Sequence, residues 1–280
     1  MSAQMPEDKY VVASGIKTRY WSVGDRGSPV ILIHGFGASV EIWQHNVSAL
    51  SNNHRVYALD LVGYGRSDKP SGKYSPSFLI NHLNEFASAL HIERASLVGL
   101  SMGGAVSLLY TLAYPEKVQK LVLVDSVGLG DKIIPLVRLM TLPILGEIMT
   151  RPSRMGTYLF FKPAVLDSKI LKGAFTDLYY ELFSLPGAQE AKLQTFRSIC
   201  NIFGLRENFL HSTRSNLSRI TAPTLIVWGE QDALLAVGQA HFALGKIPNA
   251  QIHICKQCGH MPNFEKPEEF NGVILDFLSG

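Results

Sequence analysis

The segment 99–103, which reads GLSMG, constrains the fold of this chain more than any other part of the sequence. An apolar run of strand type, 95–98, precedes it, and a run of helix-forming residues, 105–113, follows it. A strand that turns sharply into a helix holds its serine at the apex of the turn, exposed above the helix N-terminus. Glycine is needed on both sides because a Cβ there would collide with the neighbouring backbone. The segment predicts that Ser101 lies on a nucleophile elbow and is the nucleophile of an acyl-transfer enzyme.

Short apolar runs separated by helical segments extend along most of the chain. A predicted N-terminal hairpin at 10–23 is followed by runs at 30–33, 56–59, 95–98, 121–124, 225–228 and 250–255. Continuous apolar runs, as opposed to alternating ones, are typical of strands in a sheet that is covered on both faces. Their alternation with helices predicts an α/β fold with a parallel sheet.

This alternation is interrupted between Val124 and Thr224, where helix-type spacings and aromatic groups replace the strand pattern. The segment is too apolar for a disordered linker, so we expect a helical insertion that covers the carboxyl ends of the strands. The predicted division is a first core part at 1–127, a helical cap or lid at 128–220 and a second core part at 221–280.

Composition and charge exclude several classes of partner. Of the 280 residues, 46% are hydrophobic and 18% are charged, which predicts a compact globular protein with a substantial core. The formal net charge is only +3 and no cluster of Lys and Arg stands out, so no nucleic-acid partner is expected. Three cysteines, an odd number, predict a reducing compartment and no disulfide framework.

The sequence shows no sign of targeting or of stable membrane insertion. Its N-terminus lacks the basic start and the apolar stretch of a signal or transit peptide, so we expect a cytoplasmic protein. The most apolar window, 133–149, is too short to span a bilayer and is interrupted by Pro135, Arg138, Pro143 and Glu147. No positively charged face accompanies this window in the sequence, and we therefore do not expect it to bind a lipid surface.

A serine nucleophile needs a base, and the base needs an acid that orients it. His260 is the candidate base because it follows the last predicted strand, at a carboxyl end, where open α/β sheets place their functional groups. Asp232, directly beyond another strand, is the candidate acid because it completes the chain order Ser…Asp…His. Asp125, which ends a third strand, and Glu230 are the alternative acids. Four other histidines lie in helical or loop contexts and are expected to be solvated, namely His45, His54, His82 and His91.

Acyl transfer also needs donors for the oxyanion, each of which lowers the barrier by about 3 kcal/mol. The backbone N–H of Met102, the residue after the nucleophile, is one candidate, and the backbone N–H of Phe36 is the other. Phe36 lies in the loop 34–37, HGFG, whose two glycines allow the backbone to approach a ligand closely. The ring of His34 is expected to bond the backbone of this loop. Three residues are further candidates for the lining of the substrate pocket, namely His34, Gly35 and Met261.

The segment 255–260, CKQCGH, invites a metal or redox interpretation that its surroundings do not support. A structural zinc site needs four ligands, and no second ligand pair is present in the sequence. The spacing has one residue too many for haem attachment, and the cysteines end a strand, whereas those of a thioredoxin-type motif open a helix. We therefore expect neither a metal nor a cofactor.

Five segments in a fixed order relate the chain to a known family, and they lie at 34–37, 60–68, 99–104, 229–232 and 259–260. Over nearly its whole length the chain resembles the α/β-hydrolases of the serine type. The resemblance implies an eight-stranded, mostly parallel sheet flanked by helices, with a helical cap inserted after strand 6. It also implies a structural loop at 60–68. Ser101 argues against the epoxide hydrolases and haloalkane dehalogenases, which have an aspartate at this position.

The chain is also similar to the hydrolases of aromatic meta-cleavage products, which break C–C bonds, in its SMGG and VWGxxD motifs. Those enzymes typically have a Ser-Gly-rich loop after the first His-Gly, a tryptophan after the catalytic histidine and a lid arginine for the substrate carboxylate. Here the loop reads FGA at 36–38, and Met261 follows His260.

The apolar cap favours a pocket for apolar groups. The expected function is therefore the hydrolysis of small-molecule carboxylic esters with apolar acyl or alkyl groups through an acyl-enzyme intermediate. Hydrolysis of C–C bonds in meta-cleavage products is the alternative, and a ligand receptor that keeps a triad or a perhydrolase is a further one. The sequence makes no prediction of the oligomeric state.

Overall fold

The computed structural model describes residues 5–131 and 133–280. Outside the described residues lie Lys132 of the predicted cap and residues 1–4, which belong to the N-terminus in which a targeting signal would be found. None of the described helices combines the length and the apolar character that crossing a bilayer requires.

The described residues form ten strands, and eight of them build one sheet. In chain order the strands are β1 (Lys9–Ala13), β2 (Ile16–Val23), β3 (Pro29–Ile33), β4 (Arg55–Leu59), β5 (Ala95–Leu100), β6 (Val118–Val124), β7 (Cys200–Asn201), β8 (Gly204–Leu205), β9 (Thr224–Gly229) and β10 (Ala250–Cys255). The sheet has the order β1-β2-β4-β3-β5-β6-β9-β10, and β7 pairs with β8 in a separate hairpin. Only the pairs β1–β2 and β2–β4 of this sheet are antiparallel. The predicted eight-stranded, mostly parallel sheet is therefore confirmed.

The sheet is covered on both faces, which is why its central strands are apolar along their whole length. Successive residues of a strand point to opposite faces. In β3, Ile31 and Ile33 pack into one core cluster, whereas Val30 and Leu32 pack into the other. A single continuous apolar run thus supplies both halves of the core.

Helices flank the sheet and also form the insertion described below. The α-helices of the described residues are α1 (Val47–Ser51), α2 (Pro76–Ala89), α3 (Met102–Ala113), α4 (Pro135–Arg138), α5 (Leu145–Met149), α6 (Arg154–Phe161), α7 (Ala174–Ser184), α8 (Ala188–Ile199), α9 (Glu207–Ser212), α10 (Gly238–Leu244), α11 (Pro262–Glu265) and α12 (Pro267–Ser279). The first residue of α2 is a proline, and the hydroxyl of Ser75 caps the helix by accepting the N–H of Phe78 at 3.2 Å. The last helix begins at Pro267, as the sequence predicts.

A helical insertion follows the sixth strand, as the resemblance implies. The helices α4 to α9 and the β7–β8 hairpin all lie between β6 and β9 in the chain. The division into core parts at 1–127 and 221–280 and a cap at 128–220 stays a prediction, and we use the word cap for this insertion below.

A buried group of charges holds the loop after β4 and joins it to the cap. Arg19 is 3% exposed and pairs with Glu41 at 2.8 Å and with Asp60 at 3.2 Å. Arg66 pairs with Glu41 and with Glu181 of α7, each at 3.0 Å. An unpaired charge would be costly in this interior, so the members of the group stabilise one another only as a set.

The prediction of solvated histidines is wrong for His54 and His82, both of which are buried. The Nε2 atom of His82 lies 2.9 Å from the hydroxyl of Thr18, and Nδ1 of His54 lies 3.3 Å from the hydroxyl of Ser28. Burial lowers the pKa of His82 to about 4, so that its ring is neutral at pH 7. Each hydroxyl partner comes from a distant part of the chain, which a local pattern does not reveal.

Removal of Arg19 should destabilise the fold strongly. In Arg19→Met, the Glu41 and Asp60 carboxylates lose their buried counter-charge, and the free energy of unfolding is expected to fall by about 3–5 kcal/mol. Urea unfolding measures the loss. The exposed Arg55→Met is the control, for which we expect a change within about 0.5 kcal/mol. Equal stabilities of the two variants would contradict the structural role given to Arg19.

Candidate active site

Ser101 lies at the junction of β5 and α3 with φ 55° and ψ −114°, a conformation that non-glycine residues rarely adopt. Its N–H donates to the carbonyl of Val124 at 2.8 Å, and its carbonyl accepts the N–H of Val127 at 3.1 Å. A Cβ at Gly99 would collide with the carbonyl of Gly103. The turn predicted from GLSMG is therefore present, and its glycines are required by close backbone contacts.

The hydroxyl of Ser101 makes no hydrogen bond to any residue that the structure describes. Bonds between a nucleophile and its base are often long without substrate and shorten only in the reacting complex. The hydroxyl is thus available to an incoming carbonyl group.

His260 and Asp232 form a buried pair beyond the ends of β10 and β9. The Nδ1–H of His260 donates to Oδ2 of Asp232 at 2.7 Å. Oδ1 of Asp232 accepts the N–H groups of Leu234 at 2.7 Å and Leu235 at 3.0 Å. Burial opposes ionisation, but the His260 ring and these N–H groups hold the pKa of Asp232 below its ordinary value. Since Nδ1 carries the proton, Nε2 of His260 is the nitrogen that can accept one.

The alternative acids take different positions. Glu230 is exposed and accepts a hydrogen bond from the amide of Gln231. Asp125 is fully buried, and its Oδ1 accepts the N–H of Gly229 at 3.0 Å. Polar side-chain atoms of Asp125, Asp232 and His260 all lie within 4.8 Å of one another. Only Asp232, however, is hydrogen-bonded to the imidazole.

The closeness of the two buried carboxyls favours a proton on one of them. With both carboxyls ionised, Oδ2 of Asp125 has no hydrogen-bond partner. A proton on this oxygen lets Asp125 donate to Asp232, which satisfies both groups. Burial, and after it the negative charge of Asp232, raises the pKa of Asp125 well above its usual range. Asp125 is thus a neutral donor behind the ionised Asp232.

The HGFG loop lies directly against the elbow. A Cβ at Gly35 would lie only 3.1 Å from the Cβ of Ser101. His34 is buried, its Nδ1–H donates to the carbonyl of Gly35 at 2.8 Å, and its Nε2 accepts the N–H of Leu61 at 3.0 Å. Burial lowers the pKa of His34 to about 4. Both ring nitrogens therefore hold the backbone, and neither is available as a base.

The predicted oxyanion donors lie on either side of this junction. Met102 is the first residue of α3, where a backbone N–H has no acceptor within the helix. Its sulfur accepts the hydroxyl proton of Tyr64 at 3.6 Å. The Phe36 ring contacts Tyr64 and two cap side chains, Phe160 and Phe196, at centroid distances of 6.2, 5.9 and 5.7 Å. The loop thus has an aromatic roof.

A clamp between the histidine loop and the cap was not visible in the sequence. The N–H of His260 donates to the carbonyl of Ala164 at 2.8 Å. Glu265 accepts the N–H of Gly259 at 2.9 Å with one carboxylate oxygen and the N–H of Leu166 at 2.7 Å with the other. Met261, the last of the predicted pocket residues, is buried beside His260. Two cap residues therefore position the loop that bears the histidine.

The cysteines beside this loop are buried and unpaired, as is Cys200. Burial raises the pKa of Cys255 to about 12 and that of Cys258 further still. Both thiols are therefore neutral at pH 7.

The fold and this site define an α/β-hydrolase, and the family model for the alpha/beta hydrolase fold matches residues 28–267. The chain belongs to this family and is a hydrolase. It is 32% identical over 276 residues to 2-hydroxy-6-oxo-6-(2'-aminophenyl)hexa-2,4-dienoic acid hydrolase of Metapseudomonas resinovorans, covering 97% of this chain and 91% of that protein.

Two solved structures have a similar fold over nearly the whole chain. The meta-cleavage product hydrolase of Pseudomonas fluorescens IP01 superposes with a TM-score of 0.83 at 28% identity, covering 97% of both chains. The carboxylesterase CesB of Bacillus subtilis superposes with a TM-score of 0.82 at 25% identity, covering 99% of this chain and 93% of that one. The comparisons thus include hydrolases of C–C bonds and of esters.

The proton on Asp125 should make stability depend on pH. The unfolded chain releases this proton above about pH 4, whereas the folded chain keeps it, so the free energy of unfolding decreases as the pH rises from there. Asp125→Asn keeps a donor and an acceptor without binding a proton. We expect it to be more stable than the wild type at pH 7 and to lose this advantage at about pH 4 and below.

Urea unfolding over the range from about pH 4 to pH 8 measures this difference. The exposed Asp25→Asn is the matched control and should show no gain that depends on pH. A loss of stability in Asp125→Asn that is equal at every pH would show that Asp125 is ionised in the folded protein.

Proposed function

We propose that the protein is a serine hydrolase that cleaves carboxylic esters with apolar acyl or alkyl groups. The observation that carries the proposal is the elbow serine at the same edge of the sheet as the hydrogen-bonded pair His260–Asp232. This combination of nucleophile, base and orienting acid is the machinery of acyl transfer. The location in the cytoplasm stays a prediction, which the three unpaired cysteines support.

In the proposed mechanism, Ser101 Oγ attacks the ester carbonyl carbon while its proton passes to Nε2 of His260. Asp232 stabilises the imidazolium, and the N–H groups of Phe36 and Met102 donate to the oxyanion. The tetrahedral intermediate collapses, and the alcohol leaves with the proton from His260. Water then attacks the acyl-enzyme, His260 accepts its proton, and the carboxylic acid and free Ser101 are released.

The aromatic roof supports apolar substrates. Phe160 packs edge-on against Phe183, with centroids 5.5 Å apart. Both rings lie so close to Gly37 that a Cβ there would contact them. A substrate that reaches the HGFG loop therefore meets aromatic carbon, which favours hydrocarbon groups over charged ones.

The arginines of the cap also favour an ester over a substrate with a carboxylate. Five of them make polar contacts with groups that do not belong to the aromatic roof. These contacts are Arg138 with two backbone carbonyls, Arg154 with Asp177, Arg197 with Glu147, Arg206 with the carbonyl of Arg197, and Arg214 with Asp131. The five cap arginines named here are thus engaged in other contacts, which supports a substrate without a carboxylate.

One observation nevertheless favours C–C hydrolysis as the second candidate function. Lys192 of α8 is 4% exposed, and its ammonium group lies 3.3 Å from the centre of the Phe183 ring. It lines a small cavity together with Gly37 and Tyr64. Burial lowers the pKa of Lys192 to about 7. A substrate carboxylate would find a partly charged ammonium group here, which is the chemistry that a dienoate needs.

Replacement of the nucleophile tests the proposed site. Ser101→Ala should lower the turnover of p-nitrophenyl esters by at least about 1,000-fold, with unchanged circular dichroism and unfolding midpoint. The exposed Ser48→Ala is the control and should keep full turnover. Retained turnover in Ser101→Ala would rule out this serine as the nucleophile.

Replacement of Lys192 separates the two candidate functions. If the protein is an esterase, Lys192→Met should leave the turnover of a p-nitrophenyl ester within about threefold of the wild type, since no charge is recognised. If it is a C–C hydrolase, the bleaching of a coloured dienoate ring-fission product should slow by about 30-fold. The exposed Lys172→Met is the matched control for loss of a cap charge, and should affect neither rate.

A further inference from the structure

Exposed apolar side chains are concentrated on the cap. Of the fourteen large apolar residues that are exposed in the described part of the chain, eleven lie between Leu142 and Phe203. The most exposed of them are Phe203 at 85%, Ile144 at 75%, Met155 at 67% and Ile148 at 66%. Such a concentration on one part of a surface marks an interaction site, whereas scattered single residues do not.

Seven of the eleven form what we term the cap patch, which consists of the segment 142–149 and the tip of the β7–β8 hairpin, Ile202 and Phe203. The N–H of Ile148 donates at 3.0 Å to the carbonyl of Ile144, the residue directly before α5, which ties the two exposed isoleucines into one turn of the chain. Arg138, just before the segment, donates to the carbonyl of Phe203 at 3.1 Å and so joins the hairpin tip to it.

Arginines surround the cap patch. Arg197 donates to the carbonyl of Leu142 at 3.1 Å and pairs with Glu147 at 2.8 Å. Arg206 donates to the carbonyl of Arg197 at 3.0 Å and is exposed. Arg151, directly after α5, is also exposed. With Arg138, four arginines thus lie in contact with the patch or next to it in the chain, and Glu147 of the patch pairs with one of them.

The sequence-based expectation that no positive face accompanies the window 133–149 is therefore wrong. Arg197 and Arg206 come from a later part of the chain, and only folding brings them beside α5. The whole segment 128–220 has twelve Lys and Arg against seven Asp and Glu, a formal charge of +5, which leaves −2 for the rest of the chain. The positive charge of the protein is thus concentrated on the cap.

We propose that the cap patch docks the protein on the surface of an anionic phospholipid bilayer. Isoleucine and phenylalanine side chains of this kind enter the boundary between headgroups and acyl chains, while arginines pair with the phosphates. A second copy of the chain fits this surface less well, because both sides of a symmetric contact would have the same positive charge.

The docked orientation brings the pocket close to the bilayer. Phe196 of α8 contacts Phe36 of the HGFG loop, and the next residue, Arg197, contacts the segment 142–149. The roof of the pocket and the cap patch thus share one helix. The proposed docking does not depend on whether the active site cleaves an ester or a C–C bond. Vesicle binding can therefore be measured without an assay of hydrolysis.

Co-sedimentation with vesicles tests the proposal. The wild type should bind vesicles of phosphatidylglycerol and phosphatidylcholine in equal parts, bind phosphatidylcholine alone more weakly, and lose affinity as salt is added. Ile148→Glu and Phe203→Glu should each weaken binding by about tenfold or more. The matched control is Val12→Glu on the edge strand β1, where the side chain is 64% exposed, and it should bind like the wild type.

Each further outcome has a defined meaning. All three variants should hydrolyse a short water-soluble ester as the wild type does, since none of these residues belongs to the candidate site. Equal vesicle binding by Ile148→Glu and the wild type, or no binding by the wild type, would overturn the proposal. A dimer in size-exclusion chromatography with light scattering that Ile148→Glu dissociates would also overturn it, because the cap patch would then bind a second copy.

Discussion

Close packing of backbone against backbone at the elbow is the constraint on which the candidate site depends. Gly103 lies so near the carbonyls of Ile33 and His34 that no side chain fits between them. This contact joins the start of α3 to the end of β3 and sets the HGFG loop beside Ser101. The φ of 55° at Ser101 costs about 1–3 kcal/mol. Its hydrogen bonds to Val124 and Val127 belong to the sheet and to the chain after it, so the surrounding structure maintains the strained conformation.

Burial separates the ionisable groups around this junction into charged and neutral ones. His34 is neutral because its ring is enclosed and both nitrogens bond the backbone. Asp125 is neutral because it is fully buried and, in addition, a second carboxylate lies beside it. Asp232 stays ionised because backbone N–H groups and His260 surround it with donors. In a medium of low dielectric constant, Asp232 is therefore the negative charge that is bonded to the His260 ring of the proposed triad.

The parts of the structure that the sequence predicted are those determined by local patterns. Each strand has its own apolar run, and Ser101, Asp232 and His260 each follow one directly, so their positions at one sheet edge could be inferred from the chain alone. Glu265 could not, since its partner Leu166 lies in the cap and no periodicity relates the two. The pairing of Arg197 with the segment 142–149 could not be predicted for the same reason. Contacts between segments that lie far apart in the chain arise from tertiary packing. The residue spacing of a single sequence does not reveal them.

The clamp at Ala164 and Leu166 gives the cap a part in positioning the base as well as in covering the pocket. If the cap separates from the core at this point, the loop loses the acceptor for the His260 N–H, and Glu265 loses the Leu166 N–H. The same hydrogen bonds therefore hold the cap to the core and support the loop that bears the imidazole. A cap transplanted from a relative would change the support of the imidazole together with the shape of the pocket, so that selectivity and rate are coupled through one short stretch of backbone.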